Sequence, residues 1–298
     1  MTGRIIKALD TGGLLDEAFD LYKKNFLLFA GIALLVNLPV SILQRVVDES
    51  VASVLQYILA IPVSYIVIAA TTQAVSETYL GRRATILASY RAVMRRAFAF
   101  TATMLLASVI IGVGYLLLII PGIIFSCWYA FLSEVFVLEG KAWSDARNRS
   151  KQLAEGQWGR IIGLSILCGL IVAVVSLVIT WPVGYLLGMG ANPLEWQEQG
   201  GVLFGLAEGI ANSLGSPIQV IVFVLLYYDI RVRKEGFDIQ MLARSLGVEW
   251  ADGEIPTAVP SSPEPLMGVS SGTEEVLIRS GLLDEPGAPD RQTDSKEK

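Results

Sequence analysis

Apolar and polar positions run along this chain in long blocks, not with the short periods of a soluble fold. No Asp, Glu, Lys or Arg occurs from residue 25 to 44. A helix crossing about 30 Å of hydrocarbon needs about 20 mostly apolar residues, so this block predicts a first span over 26–44. The next charge-free block predicts a second span over 51–76. The block from 97 to 133 is too long for one crossing, and Pro121-Gly122 interrupts it. A Pro-Gly pair is a turn signal, so the expectation is a hairpin with a third span over 97–120 and a fourth over 123–138. The fourth is short and carries Glu134, which leaves a re-entrant segment as the alternative. A fifth span is expected over 161–187 and a sixth over 210–228. Residues 201–209 would make the sixth too long, so it should project outward, kink at Pro217 or lie at the interface.

Lys and Arg are retained on the cytoplasmic side. Counted by segment from the N-terminus to the residues after the last span, they number 4, 1, 5, 0, 5, 0 and 4. Six spans with both termini in the cytoplasm give this alternation.

A basic amphipathic stretch precedes each pair of spans. Residues 14–26 place Leu14, Leu15, Ala18, Phe19, Tyr22 and Phe26 on one helical stripe, with the charges, Lys23 and Lys24 among them, largely opposite. Residues 86–98 place Ile86, Leu87, Tyr90, Met94 and Phe98 against Arg91, Arg95 and Arg96. The third copy, 146–158, is more polar. Registered on one another, Leu21, Val93 and Leu153 correspond, as do Phe26, Phe98 and Trp158. Each stretch is expected to lie in the cytoplasmic interface, apolar face down and cations toward headgroups. Lys23, Lys24, Arg91, Arg95 and Arg96 are the candidate lipid contacts.

Composition sharpens this picture. Charged residues make up 17% of the 298 positions, against about 25% in soluble domains. Eleven acidic and four basic residues fall in 247–298, a net of −7, so the acidic balance belongs to the tail. That segment is rich in Pro, Ser and acid and is expected to be disordered, with EEVLIRSGLLDE as its one apolar stretch. The fold class read from the sequence is therefore all-α integral membrane. Residues 1–246 form about six transmembrane helices as three hairpins, each preceded by an interfacial helix, and 247–298 form a disordered cytoplasmic tail.

Chemistry is limited by what is missing. The chain has no histidine, which removes the commonest general acid/base and metal ligand. No nucleophile–base pair, zinc motif or phosphate-cradling Gly loop is visible, and no cofactor or metal is expected. Cys127 and Cys168 sit in apolar runs and are read as packing residues.

Carboxylates at membrane depth are functional candidates by default. Glu134 and Glu208 qualify, with Asn37, Asn212 and Gln219 as neutral partners in a proton or cation relay. The competing expectation is that each carboxylate lies close enough to a helix end to reach water or an interfacial arginine. It is favoured because no basic residue sits in any span to pair with them. Gly201, Gly205, Gly209 and Ser213 form a small-residue ridge, expected to pack the sixth span on the fifth. Pro39, Pro62, Pro182 and Pro217 mark where spans would be interrupted. Past the sixth span, Asp229 is expected to pair with a neighbouring cation or an arginine of an interfacial helix, and Asp229 with Arg231 is the candidate cytoplasmic ion pair.

Three strings carry a resemblance: PGIIFSCWYAFLSEVFVLEGK (121–141), ARNRSKQLAEGQWGRIIG (146–163) and LLYYDIRVRKEGFD (225–238). With the spans, they make residues 10–245 resemble the glycerophosphoryl diester phosphodiesterase membrane-domain family, which includes YciC-like six-span proteins. In some members such a domain is fused to a phosphodiesterase barrel. That barrel takes about 250 residues and, in that family, uses catalytic histidines. This chain has neither, so the resemblance implies a membrane module without the enzyme. The expected role is a non-enzymatic accessory or scaffold module of the cytoplasmic membrane, engaging lipid (anionic lipid at the basic helices) or a protein partner, and no nucleic acid. The alternative is a transporter or channel for a small solute or lipid that uses Glu134, Glu208 or both.

Overall fold

The structure is a computed structural model that describes residues 10–46, 60–188 and 201–236. Among these residues every regular element is helical. Helix α1 (Thr11–Lys24) starts at Asp10, whose carboxylate accepts from the Gly13 amide at 3.1 Å, a standard N-cap. It is followed by α2 (Phe26–Val46), α3 (Ile61–Tyr79), α4 (Ile86–Met94) and α5 (Ala97–Leu117). The chain continues through α6 (Ile119–Trp128) and α7 (Leu132–Glu134), which runs into a π-helical turn (Val135–Glu139). Then come α8 (Trp143–Ala154), α9 (Trp158–Leu186) and α10 (Gly201–Glu235).

Five segments are long and apolar enough to cross a membrane: Phe26–Gln44, Ala97–Leu117, Ile119–Glu139, Trp158–Leu186 and Gly201–Glu235. They are compatible with a multi-pass membrane protein. Outward-facing leucines agree, since Leu27, Leu116 and Leu186 are 83, 87 and 82% exposed and such surface suits lipid rather than water. Of the predicted second span, 61–76 lies in α3, and 51–59 falls outside the described residues, as does the predicted tail, 247–298.

The repeat is written in the backbone. The chain turns from a short helix into a long one at Asn25 (φ −123°, ψ 31°), Arg96 (φ −123°, ψ 13°) and Gln157 (φ −118°, ψ 9°). After each turn the same three positions are covered: Phe29, Ile32 and Val36; Phe100, Thr103 and Ala107; Ile161, Leu164 and Cys168. This geometry sets the second copy one residue earlier than the sequence registration. Ala97, not Phe98, follows the turn, and Phe98 stands 89% exposed. On α4 the helix buries Ser89 and Val93, while Leu87 and Met94 remain open. Of the apolar stripe over 86–98, Ile86 and Tyr90 pack against the core, and Leu87, Met94 and Phe98 stay open. Two tyrosines tie the short helices to the long ones. Tyr22 donates to the Leu214 carbonyl at 2.8 Å and Tyr90 to the Ile32 carbonyl at 2.7 Å, and burial pushes both phenols up to about 12.

The starts of α5 and α9 and the ends of α3, the π-turn and α10 gather at one end of the molecule, here the basic end. Arg96 donates to the Gly140 carbonyl at 2.7 Å, Ser76 shares a hydrogen bond with Tyr228 at 2.7 Å, and Arg160 meets Asp229 at 2.7 Å.

Two expectations change here. The α5–α6 turn sits at Leu118 (φ −162°, ψ 150°), not at Pro121-Gly122. Pro121 falls in the first helical turn, where its missing N–H costs nothing. Gly122 is needed because a Cβ there would collide with the Tyr115 ring. The small-residue ridge packs α10 on α2, not on α9. A Cβ at Gly209 would meet Ser41 Oγ at 3.0 Å, and Asn37 Nδ2 donates to Ser213 Oγ at 3.3 Å. Helix α9 instead meets Gly215, whose Cβ would lie 3.2 Å from Val172, two residues and so about 200° further round the helix. Helix α10 runs unbroken through Pro217, and its 35 residues reach about 52 Å.

Candidate functional site

The membrane segment Ile119–Glu139 is broken. Helix α6 stops at Trp128 and α7 resumes at Leu132, so the chain leaves the helix at Tyr129, Ala130 and Phe131. Helical backbone groups freed inside a membrane protein must find other partners. Ser150 of α8, fully buried, supplies them. Its Oγ donates to the Trp128 carbonyl at 2.7 Å and accepts from the Phe131 amide at 3.1 Å. A hydroxyl suits this place because it is both donor and acceptor. Lys151 lies 4.3 Å over the Trp128 ring and holds the same corner.

Beside the break lies a cleft of about 580 Å³, half-open to the outside, where α6 and α9 touch only lightly. Its walls are mostly Ile, Val, Ala and Phe from α3, α6, α9 and α10. Polar groups punctuate them: Ser126, Ser133 and Glu134 on one side, Ser165, Ser216 and Gln219 on the other. No Lys or Arg is among the described residues that line it. Cys127 also faces the cleft and Cys168 is buried elsewhere; both are free thiols.

Glu134 lies at the end of the cleft nearest the basic end and is 2% exposed. Its carboxylate accepts from Ser133 Oγ at 2.7 Å. Among the described residues no Lys or Arg stands within ion-pairing distance of it. No described interfacial arginine therefore reaches it, while the cleft it lines is open on one side. Residues of α7 pack against α3 and α8, and of the arginines at this end Arg149, Arg160, Arg231 and Arg233 pair with other carboxylates while Arg96 bonds the Gly140 carbonyl. Gln219 lines the same cleft and is exposed to it. The other predicted polar residues are elsewhere. Asn37 bonds Ser213, Asn212 is exposed, and Glu208 is half-buried. Glu208 precedes Phe223, a cleft residue that packs on Phe131, by fifteen positions on α10, about 22 Å along the axis. One relay through both carboxylates is not what this geometry offers.

The basic end holds the opposite electrostatics. Asp229, 1% exposed at its side chain, takes Arg160 at 2.7 Å and Arg233 at 3.0 Å. Glu139 takes Arg149 at 3.1 Å, Lys141 at 2.9 Å and the Tyr227 hydroxyl at 2.8 Å. Glu235 bridges Arg149 and Arg231. Lys234 donates to the Gln152 and Glu155 carbonyls at 2.7 Å each and so caps α8. Burial pulls the Arg149 guanidinium down, but Glu139 and Glu235 outweigh it and hold Arg149 above its ordinary value. The Asp229–Arg231 pair gives way to two pairs spaced by four, Asp229–Arg233 and Arg231–Glu235. Residues four apart share a helix face and residues two apart do not.

The candidate lipid contacts divide. Lys23, Arg91 and Arg95 are exposed and have no side-chain partner among the described residues. Lys24 pairs with Asp20 at 2.6 Å. Arg96 is committed to Gly140 and lies 5.0 Å over the Phe136 ring. Among the described residues no group of Cys, Asp and Glu could hold a metal ion. Sequence reasoning missed the helix break and Ser150, since no Pro or Gly falls at 129–131 and the satisfying hydroxyl lies 19 residues downstream of Phe131.

Compared with models of known protein families, with curated proteins and with solved structures, the chain matches none.

Proposed function

We propose that this chain is a non-enzymatic module of the cytoplasmic membrane that engages lipid, with both termini in the cytoplasm and a lipid-like amphiphile held in the cleft between α6 and α9. The observation that carries this reading is the cleft itself. It is apolar enough for an alkyl chain, open on one side, and dotted with hydroxyl and amide groups. Its volume of about 580 Å³ lies within the range of about 300–1,000 Å³ usual for small-molecule sites. Lys23, Arg91 and Arg95 support a second, looser contact with anionic headgroups, worth about 1 kcal/mol each near such a leaflet. The three strings that resemble the glycerophosphoryl diester phosphodiesterase membrane domain fit a membrane module.

Native mass spectrometry of the protein released from its own membrane tests the proposal. A stoichiometric amphiphile that disappears in Ser165→Phe, which fills the cleft, is the expected result. A bare protein, or an adduct indifferent to Ser165→Phe, overturns it.

A second reading, transport of a small solute or lipid, is favoured by one observation. The broken helix and the buried Glu134 line the same cleft, and interrupted helices build substrate sites in many transporters. It predicts flux in proteoliposomes that Glu134→Gln abolishes; unimpaired flux in that variant removes Glu134 from the path.

A further inference from the structure

The cleft carries a carboxylate and no described Lys or Arg, the opposite sign to the exposed cations at the basic end. We infer that the cleft takes a single-chain amphiphile with a cationic amine headgroup, seated with its nitrogen at Glu134. This rests on the reading of the cleft as an amphiphile site and adds the class of headgroup. Three observations carry it.

First, among the described residues Glu134 is the only carboxylate lining the cleft, and no Lys or Arg lines it or pairs with Glu134. An anionic head entering here would find no described cation to pair with, whereas an ammonium would complete an ion pair with the carboxylate. Second, the missing partner is not for want of cations nearby. Glu139, five residues on, has Arg149 and Lys141, and Asp229 has Arg160 and Arg233. The fold supplies cations to its other buried carboxylates at this end and leaves the one in the cleft without any. A carboxylate buried in apolar surroundings is costly unless paired, and a ligand ammonium is the group that would pair it.

Third, the polar groups fit an amine better than a phosphate. An ammonium has three donors and no acceptor, and it needs oxygens around it. Glu134 and the Gln219 amide carbonyl provide them, with the hydroxyls of Ser133 and Ser165 close by on the lining. Ser133 already donates to Glu134 at 2.7 Å and Ser165 to the Ile161 carbonyl at 2.7 Å, so both hydroxyl oxygens retain lone pairs for an incoming N–H. A phosphate would need a cluster of strong donors, and the described lining has none that is charged. The remaining walls, among them Ile123, Ile162, Ile166 and Val220, would take one alkyl chain.

The experiment compares three probes of equal chain length on the full chain in neutral nanodiscs: hexadecylamine, hexadecanol and hexadecyl phosphate. Binding is read by native mass spectrometry at fixed neutral pH. Wild type is expected to bind the amine at least tenfold more tightly than the alcohol and the phosphate least. Glu134→Gln is expected to remove the advantage of the amine over the alcohol, with the fold of the variant checked separately by its circular dichroism spectrum. Ser165→Phe is expected to abolish all specific binding. Amine and alcohol binding alike in wild type, or amine preference surviving in Glu134→Gln, would overturn the charge selection and leave the amphiphile reading standing. Tightest binding of the phosphate would overturn it too. Failure of all three probes to bind would remove both.

Discussion

Glu134 and Glu139 belong to one short stretch of chain and have opposite surroundings. Glu139 closes the π-turn and is gripped by Arg149, Lys141 and the Tyr227 hydroxyl. Glu134 has one neutral neighbour, Ser133, and opens onto a cleft. The first carboxylate is spent on architecture, since it joins α8 and α10 through groups that all find partners. The second is buried with a neutral hydroxyl beside it and no ion pair among the described residues. A buried charge in a complete network is a structural fastening, whereas one left with a hydroxyl beside a cavity is where a ligand has something to gain. The sequence string SEVFVLE does not distinguish the two, because the difference comes from which helix lies opposite.

Four substitutions break or sharpen this contrast. The largest effect is expected from Asp229→Ala, which removes the carboxylate shared by Arg160 and Arg233. Removing one partner of a buried pair costs about 3–5 kcal/mol, and because both arginines keep some contact with water the lower end, about 3 kcal/mol, is expected in denaturant titration of the purified protein. Ser150→Ala should cost about 2 kcal/mol by the same measurement, since it leaves the Trp128 carbonyl and the Phe131 amide without their partner. It should also broaden the set of amphiphiles the cleft accepts, because the break then has no fixed shape. Glu139→Gln removes hydrogen bonds to charged groups but leaves Arg149 its contact with Glu235, so a loss of about 1.5 kcal/mol is expected. Glu134→Gln should change stability least, by about 0.5 kcal/mol or less, or raise it slightly, because no ion pair is lost. If Glu134→Gln destabilised the protein as much as Glu139→Gln, the two carboxylates would be doing the same work and the contrast would collapse.

Much of the scaffold could be read from the chain before its structure. The short helices α1 and α4 were legible because their apolar residues recur with the helical period next to charge-free blocks. The repeat was legible through Leu21, Val93 and Leu153, all of which are buried. Registration failed by one residue in the second copy because Phe98 imitates the aromatic at the turn while Ala97 occupies the place. The candidate site was legible only in fragments. Glu134 and Gln219 stand out as polar residues in apolar runs, but nothing in their spacing says that α7 and α10 face one cavity. Glu208, Asn37 and Asn212 stand out equally and lie elsewhere. The partners of Asp229 follow half from local geometry, which gives Arg233 at four residues. The other half, Arg160, is a tertiary fact that no period encodes.

The hydroxyl that repairs the broken helix belongs to α8, the same helix whose Arg149 is clamped to Glu139 and Glu235. The surface helix therefore works as a handle on the interior. A pull that slid α8 by a single turn, about 5.4 Å, would take Ser150 out of reach of the gap at 129–131 and leave two backbone groups bare beside the cavity. Shape at depth and position at the surface are one mechanical quantity in this protein, measured in a single serine.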